Sequence, residues 1–231
     1  MSALMRSAAT SMKSKRLYKY CILATPKTGT FSVSQWVEGW EVIGHESHDC
    51  HGIVSGFWFQ DHDWYPFGHD ADMQDRDIGE CMSEVSDYTR SDFLYQNVIA
   101  LARRPLSVIN SLYKWLVEND GRLTRGTDGD LYKFNEWYEE LGFDMSGDTL
   151  DQAIEIWVQT YKRIFDSRVD HVIKLEEFAQ RWEEITGTVL PPEVKKNQSG
   201  KTNPFTDEEI LARMSPEQRE TYEAICEKLG Y

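Results

Sequence analysis

The stretch YKYCILATPKTGT, residues 18–30, decides the fold. Its first seven residues, Tyr18 to Ala24, form an apolar, β-prone run that stops at Thr25-Pro26. Such a run predicts a buried strand. Beyond it, Phe31, Val33, Trp36, Val37 and Trp40 fall at mixed helical spacing, so a short helix is expected to end near Gly39. The residues between, Thr25-Pro26-Lys27-Thr28-Gly29-Thr30, join a strand to a helix N-terminus. Successive N–H groups there converge on one spot, and the helix dipole favours an anion. Gly29 allows close backbone approach, Lys27 adds a point charge, and Thr28 and Thr30 add hydroxyls. An ordinary strand-to-helix turn can carry the same residues, so the loop alone leaves both readings open. It is not a Walker A loop, because no Gly precedes Lys27 in it and the Lys comes before the Gly.

Working outward, Glu41 to Gly44 (EVIG) reads as a second strand, expected beside the first. His48 to Asp92 is rich in Asp, Gly and aromatics, and is expected to be irregular with one or two short helices. Asn97 to Ala102 (NVIALA) is the next buried strand. Pro105 then opens a helix that runs to Glu118, with Leu106, Ile109, Leu112, Tyr113 and Leu116 at helical spacing. Asn119 to Asp130 holds three Gly and reads as a mobile loop. Leu150 to Phe165 predicts an amphipathic helix with Ile154, Trp157, Tyr161 and Ile164 on its core face. Val169 to Leu175 is a further strand, and Phe178 to Ile185 and Asp207 to Leu229 are helical. Alternation of strands and helices implies an α/β fold with a mainly parallel sheet, whose ligands sit at the carboxyl ends of strands.

A second loop qualifies on that rule. Arg103-Arg104-Pro105 follows a strand, and Ser111 lies two helical turns further on. A guanidinium and a hydroxyl so placed suit one phosphate, with Arg bidentate. Two surface arginines and a helix-surface hydroxyl are the plainer alternative.

The whole chain is 231 residues long, which fits one domain of ordinary to large size, or at most two small ones. Lys plus Arg total 25 against 39 Asp plus Glu, a net charge of -14. Such acidity argues against a non-specific nucleic-acid or anionic-membrane partner and leaves room for a local basic pocket. Cys21, Cys50, Cys81 and Cys226 contain no CxxC pair and read as reduced thiols of a cytoplasmic protein. No apolar run approaches the roughly 18 residues of a membrane span. Residues 1–16 are basic and Ser-rich and read as a loose leader, with the domain over residues 17–231.

Together the two loops resemble a known family. TPKTGT resembles the 5′-phosphosulfate loop of sulfotransferases, and ARRPLSVINSLY their 3′-phosphate motif, an Arg followed eight residues later by Ser and then an aromatic. HVIKLEEF, residues 171–178, and Asn197-Gln198-Ser199 with the polar helices after them are similar to later parts of carbohydrate-type and bacterial members. The resemblance implies a P-loop-like three-layer fold and 3′-phosphoadenosine 5′-phosphosulfate as donor, with 3′,5′-bisphosphoadenosine as product and no metal. It implies that Lys27, Thr28, Gly29, Thr30 and Phe31 hold the 5′ end, that Arg103 and Ser111 hold the 3′-phosphate, and that Lys27 stabilises the leaving oxygen. Transfer to a small-molecule or glycan hydroxyl (or amine) also needs a base. By the same resemblance Glu46, after the second strand, fits that placement, with His45 beside it as the alternative.

Other features carry less. Five of six His lie between His45 and His69, and His48-x-x-His51 would suit zinc, but Gly52 weakens a helix there and no CxxC or HExxH is present. Trp58, Trp64 and Tyr65 read as core or as acceptor-pocket walls. Glu176 and Glu177 read as structural, since adjacent strand-end carboxylates face opposite ways. A nucleotide-binding module without transfer activity and a small-molecule kinase are the competing functions. A kinase should show a Walker A Gly and an Mg²⁺-binding Asp after a strand, and neither is evident.

Overall fold

The computed structural model describes residues 18–38, 44–45, 52–55, 95–118, 122–125, 130–133, 138–139, 142–166, 169–190 and 203–231. Among them, a five-stranded sheet is built from β1 (Tyr18–Leu23), β2 (Gly44–His45), β3 (Gly52–Ser55), β4 (Tyr95–Ala102) and β7 (His171–Lys174). Its order is β2-β3-β1-β4-β7, and every pairing is parallel. A separate antiparallel pair joins β5 (Arg122–Arg125) to β6 (Asp130–Lys133). The helices are α1 (Thr30–Glu38), α2 (Pro105–Glu118), α3 (Thr149–Asp166), α4 (Phe178–Thr186), α5 (Asp207–Arg213) and α6 (Pro216–Leu229).

Two cores explain why the central strands are apolar throughout instead of alternating. Side chains of a strand point to opposite faces in turn. Cys21 and Leu23 of β1 join Val98, Ala100 and Ala102 of β4 in one cluster, with α2, α3 and α6. Ile22 and Ala24 join Ile99, Leu101 and Ile173 in the other, with Val33, Val37, Phe178 and Trp182. The register agrees, pairing Cys21 with Val98 and Ile22 with Ile99. Both faces of the sheet are thus covered, and a parallel sheet so covered needs apolar residues at every position. The α/β class and the three layers follow from this partition.

Four local expectations need correction. A strand, β3, lies inside the stretch expected to be irregular, and it is β3 that neighbours β1. The second strand, placed on Gly44–His45, is therefore the sheet edge, about 10 Å from β1 at the usual strand spacing. The Gly-rich stretch after α2 contains β5 and the first residue of β6; the turn at 126–129 lies outside the described residues. The C-terminal helical run is two helices. Pro216 disfavours helical φ and ψ at Ser215, which becomes an N-cap with Gln218 in a capping box.

Candidate functional site

The chain order places a crevice between β1 and β4. From β1 the chain moves outward to β2 and β3, then crosses back to β4 and on to β7. Adjacent loops at such a switch point leave in opposite directions from the carboxyl ends of their strands, opening a ligand crevice. The loops that leave here are those carrying Lys27 and Arg103.

The first loop begins as a tight turn. The Thr28 N–H donates to the Thr25 carbonyl at 3.3 Å, with Pro26 and Lys27 between. Lys27 has φ +70°, the positive value that a type II turn demands at its third residue, where Gly is usual. Gly29 follows at φ +117°, and its carbonyl accepts from the Val33 N–H at 3.0 Å in the first turn of α1. A Cβ on Gly29 would lie 2.7 Å from Leu175 Cδ2, so a side chain there must displace the end of Leu175 and is also disfavoured by φ. Thr25 and Thr28 are fully buried, their hydroxyl oxygens 2.9 Å apart. The Thr28 hydroxyl thus faces inward. Thr30 is buried at the start of α1, and Phe31 is its second residue.

Lys27 is the exposed residue of the turn. Partial burial of its ammonium lowers its pKa, the Glu118 carboxylate opposes that shift, and the Arg103 guanidinium adds to it. Arg103 is half-buried and donates from Nη1 to the Lys27 carbonyl at 3.3 Å. The two cations predicted from separate motifs are therefore brought together. Arg104 is different: its Nη2 pairs with Asp207 of α5 at 2.6 Å. Ser111 is half-buried on α2, about 9 Å along the helix from Pro105.

The remaining predicted residues are placed less closely. His45 is in the edge strand β2, paired in register with Val54. Glu46 lies outside the described residues, as do His48, His51, Trp58, Trp64, Tyr65 and Asn197 to Ser199. Glu176 and Glu177 are exposed in a 3₁₀ turn, Leu175–Glu177, and not on the strand, so the opposite-face argument does not apply to them.

Four residues around the site escaped the sequence reading. Leu175 fills the space beside Gly29. Tyr231 lies near Arg103; burial, then the Glu176 and Glu177 carboxylates, push its phenol up to about 12, while Arg103 opposes them. Lys174 holds this end of the chain, donating to the Gly230 carbonyl at 2.7 Å and lying 4.8 Å over the Tyr231 ring. The fourth is Tyr161, whose hydroxyl donates to the Leu101 carbonyl at 2.6 Å. Periodicity placed it in the core; its polar tip was the overlooked signal, since a buried phenol needs a partner.

Among the described residues no group of three or more His, Cys, Asp or Glu could hold a metal ion, and no helix is long and apolar enough to cross a membrane. No family model matches the chain, and no curated protein matches it. Among solved structures, the chain is similar to a sulfotransferase from Alicyclobacillus acidocaldarius, with a TM-score of 0.43 and 13% identity over 92% of this chain and 96% of that one.

Proposed function

We propose that residues 17–231 form a sulfotransferase domain. It moves a sulfuryl group from 3′-phosphoadenosine 5′-phosphosulfate to a hydroxyl or amine of a small-molecule or glycan acceptor. The observation that carries this reading is the meeting of Lys27 and Arg103 at the switch point of the sheet. Two helices, α1 and α2, also begin there. In a chain of net charge -14, this gathering of cations and helix N-termini fits a polyanionic nucleotide.

When bound, the donor supplies an activated sulfuryl group that passes in line to the acceptor. The chain's own residues then have distinct tasks. The backbone from Lys27 to Phe31 holds the 5′ end, and Arg103 with Ser111 holds the 3′-phosphate. The Lys27 ammonium stabilises negative charge growing on the leaving oxygen, a contribution that matters most in the transition state. Glu46 or His45 accepts the acceptor's proton. This chemistry requires no metal.

Calorimetric binding tests the reading. The protein should bind 3′,5′-bisphosphoadenosine far more tightly than AMP, which lacks the 3′-phosphate; equal affinities overturn it. Donor-dependent turnover separates an enzyme from a binding module. Glu46→Gln compared with His45→Ala, at unchanged nucleotide affinity, assigns the base to whichever variant loses transfer.

A further inference from the structure

Asn110 is the polar residue among the buried residues of α2, the others being Pro105, Leu106, Val108, Ile109, Leu112 and Leu116. A buried amide is costly unless its groups are paired. Here both donors and the acceptor are used. Nδ2 donates to the Leu106 carbonyl at 3.2 Å, one turn back in the same helix, and to the Phe205 carbonyl at 3.1 Å. Oδ1 accepts from the Phe205 N–H at 3.1 Å. Two of the three bonds thus join the side chain to both backbone groups of one residue, 95 positions away. The partners also fix which end of the amide is which, since two are carbonyls and one is an N–H.

The partner segment meets α2 at two further points. The Phe205 ring stands edge-on to Tyr113, with centroids 4.8 Å apart. Asp207, two residues on, pairs with Arg104 just before the helix. Neither contact sets the rotation of α2, because apolar contacts are non-directional and the ion pair is exposed. Packing of that kind leaves about 15–20° of scatter in how a helix lies. A binding site needs its groups held within about 0.5 Å and 10–20°. The amide pair supplies the missing constraint, since hydrogen bonds weaken steeply when misaligned. Ser111 is the next residue of the same helix and is half-buried, so what fixes Asn110 fixes Ser111.

We infer that Asn110 is a positioning residue: by pairing with the Phe205 backbone it sets the rotation of α2, and so the place of Ser111 relative to the Arg103 loop. This role rests on the proposed function, in which Ser111 and Arg103 hold the 3′-phosphate. The pairing with Phe205 does not, and this separates the two in experiment.

Asn110→Leu keeps the approximate size of the side chain and removes the pairing. Calorimetry then compares 3′,5′-bisphosphoadenosine with AMP, which lacks the 3′-phosphate. The variant's preference for the bisphosphate should fall about tenfold, as for one lost hydrogen bond to a charged group, while its AMP affinity stays that of wild type. Tyr113→Leu loosens the same segment but spares the amide pair, so its preference should match wild type. Amide exchange on the free protein reads the pairing itself. The Phe205 N–H should exchange about tenfold faster in Asn110→Leu, with the amides of β4 unchanged. If Asn110→Leu does not fold, Asn110→Ser carries the same test, because its short hydroxyl turns back to the Leu106 carbonyl and does not reach Phe205. An unchanged preference in the Asn110 variant, an equal loss for both nucleotides, or an equal fall in Tyr113→Leu overturns the assignment. A wild-type protein that binds the two nucleotides equally removes the 3′-phosphate reading and the positioning role with it; the exchange result then shows only whether Asn110 ties Phe205 to α2. A wild-type protein that prefers the bisphosphate, beside an Asn110 variant that prefers it as strongly, keeps the proposed function and removes Asn110 from it.

Discussion

The loop after β1 takes six residues, Ala24 to Gly29, to reach its helix, and it does so with one left-handed lysine and two buried threonines. The loop after β4 takes two, Arg103 and Arg104, and Pro105 starts the helix at once. Both leave neighbouring strands at the same end of the sheet. In the first, the backbone path is the device, with half-buried Leu175 against Gly29 and the two buried threonine hydroxyls 2.9 Å apart. In the second, the path is ordinary and the device is one guanidinium, with its neighbour tied off on Asp207. Substitutions in the first loop should therefore act on folding as well as on ligand binding, and those in the second chiefly on binding.

The sharpest form of this contrast is Arg103 against Arg104. Arg103→Ala should weaken 3′,5′-bisphosphoadenosine binding by about 1.5–3 kcal/mol, the range for hydrogen bonds to charged groups. Arg104→Ala should leave binding unchanged and lower stability by about 0.2–1 kcal/mol, as for other exposed ion pairs. Calorimetry and urea unfolding of both variants measure this. Equal binding losses would erase the distinction between the two arginines.

Gly29→Ala comes next and should act on the fold. Its φ of +117° disfavours any side chain, and the new Cβ meets Leu175. Urea unfolding should show a loss of about 1–3 kcal/mol. In a double-mutant cycle with Leu175→Ala, the steric part should be recovered and the φ part retained. A neutral Gly29→Ala would mean that this loop is as permissive as the one after β4.

How much of this was legible in sequence follows from the range of each interaction. The strands β1 and β4 were readable because burial on both faces leaves an uninterrupted apolar run, and α2 because Pro105 marks its start. Lys27 and Arg103 were readable because each sits at a strand end, where a short motif fixes its surroundings. β3 was not, since GIVS is four residues set among Asp, Gly and aromatics, and its place between β1 and β2 is a long-range pairing. The hairpin of β5 and β6 was hidden by its glycines, which signal a loop whether or not strands flank it. Tyr161 reaches Leu101 across 60 residues, Tyr231 lies near Arg103 and Leu175 packs at Gly29, each pairing far apart in sequence, so no local pattern announces them. Arg103 and Arg104, adjacent and chemically identical, could be told apart only by what each touches.

The smallest expected effect is Lys27→Gly, and its sign is the informative part. Lysine at φ +70° carries backbone strain of about 1–2 kcal/mol that Gly lacks. Gly in turn loses more unfolded-chain entropy, about 0.4–1 kcal/mol. The difference leaves the variant more stable by about 0.5–1 kcal/mol near neutral pH, although it has lost the cation to which the proposed function assigns charge stabilisation in transfer. A second contribution has the same sign and a pH signature. Partial burial lowers the Lys27 pKa from its ordinary 10.5, so the unfolded chain binds more protons than the folded one between the two values. Wild-type stability therefore rises with pH across that window, and the cost of the charge is fully present below the folded value. Lys27→Gly removes this group, so its advantage should be greatest at neutral pH and shrink as pH approaches 10.5. Urea midpoints of both proteins from neutral pH to pH 10.5 test this. A variant less stable than wild type at every pH would show that the turn is built around the lysine side chain and that the strain argument fails. An advantage independent of pH would leave strain as its sole source. The predicted pattern, a more stable protein without transfer activity, would mark Lys27 as a residue kept for its charge against the preference of its own backbone.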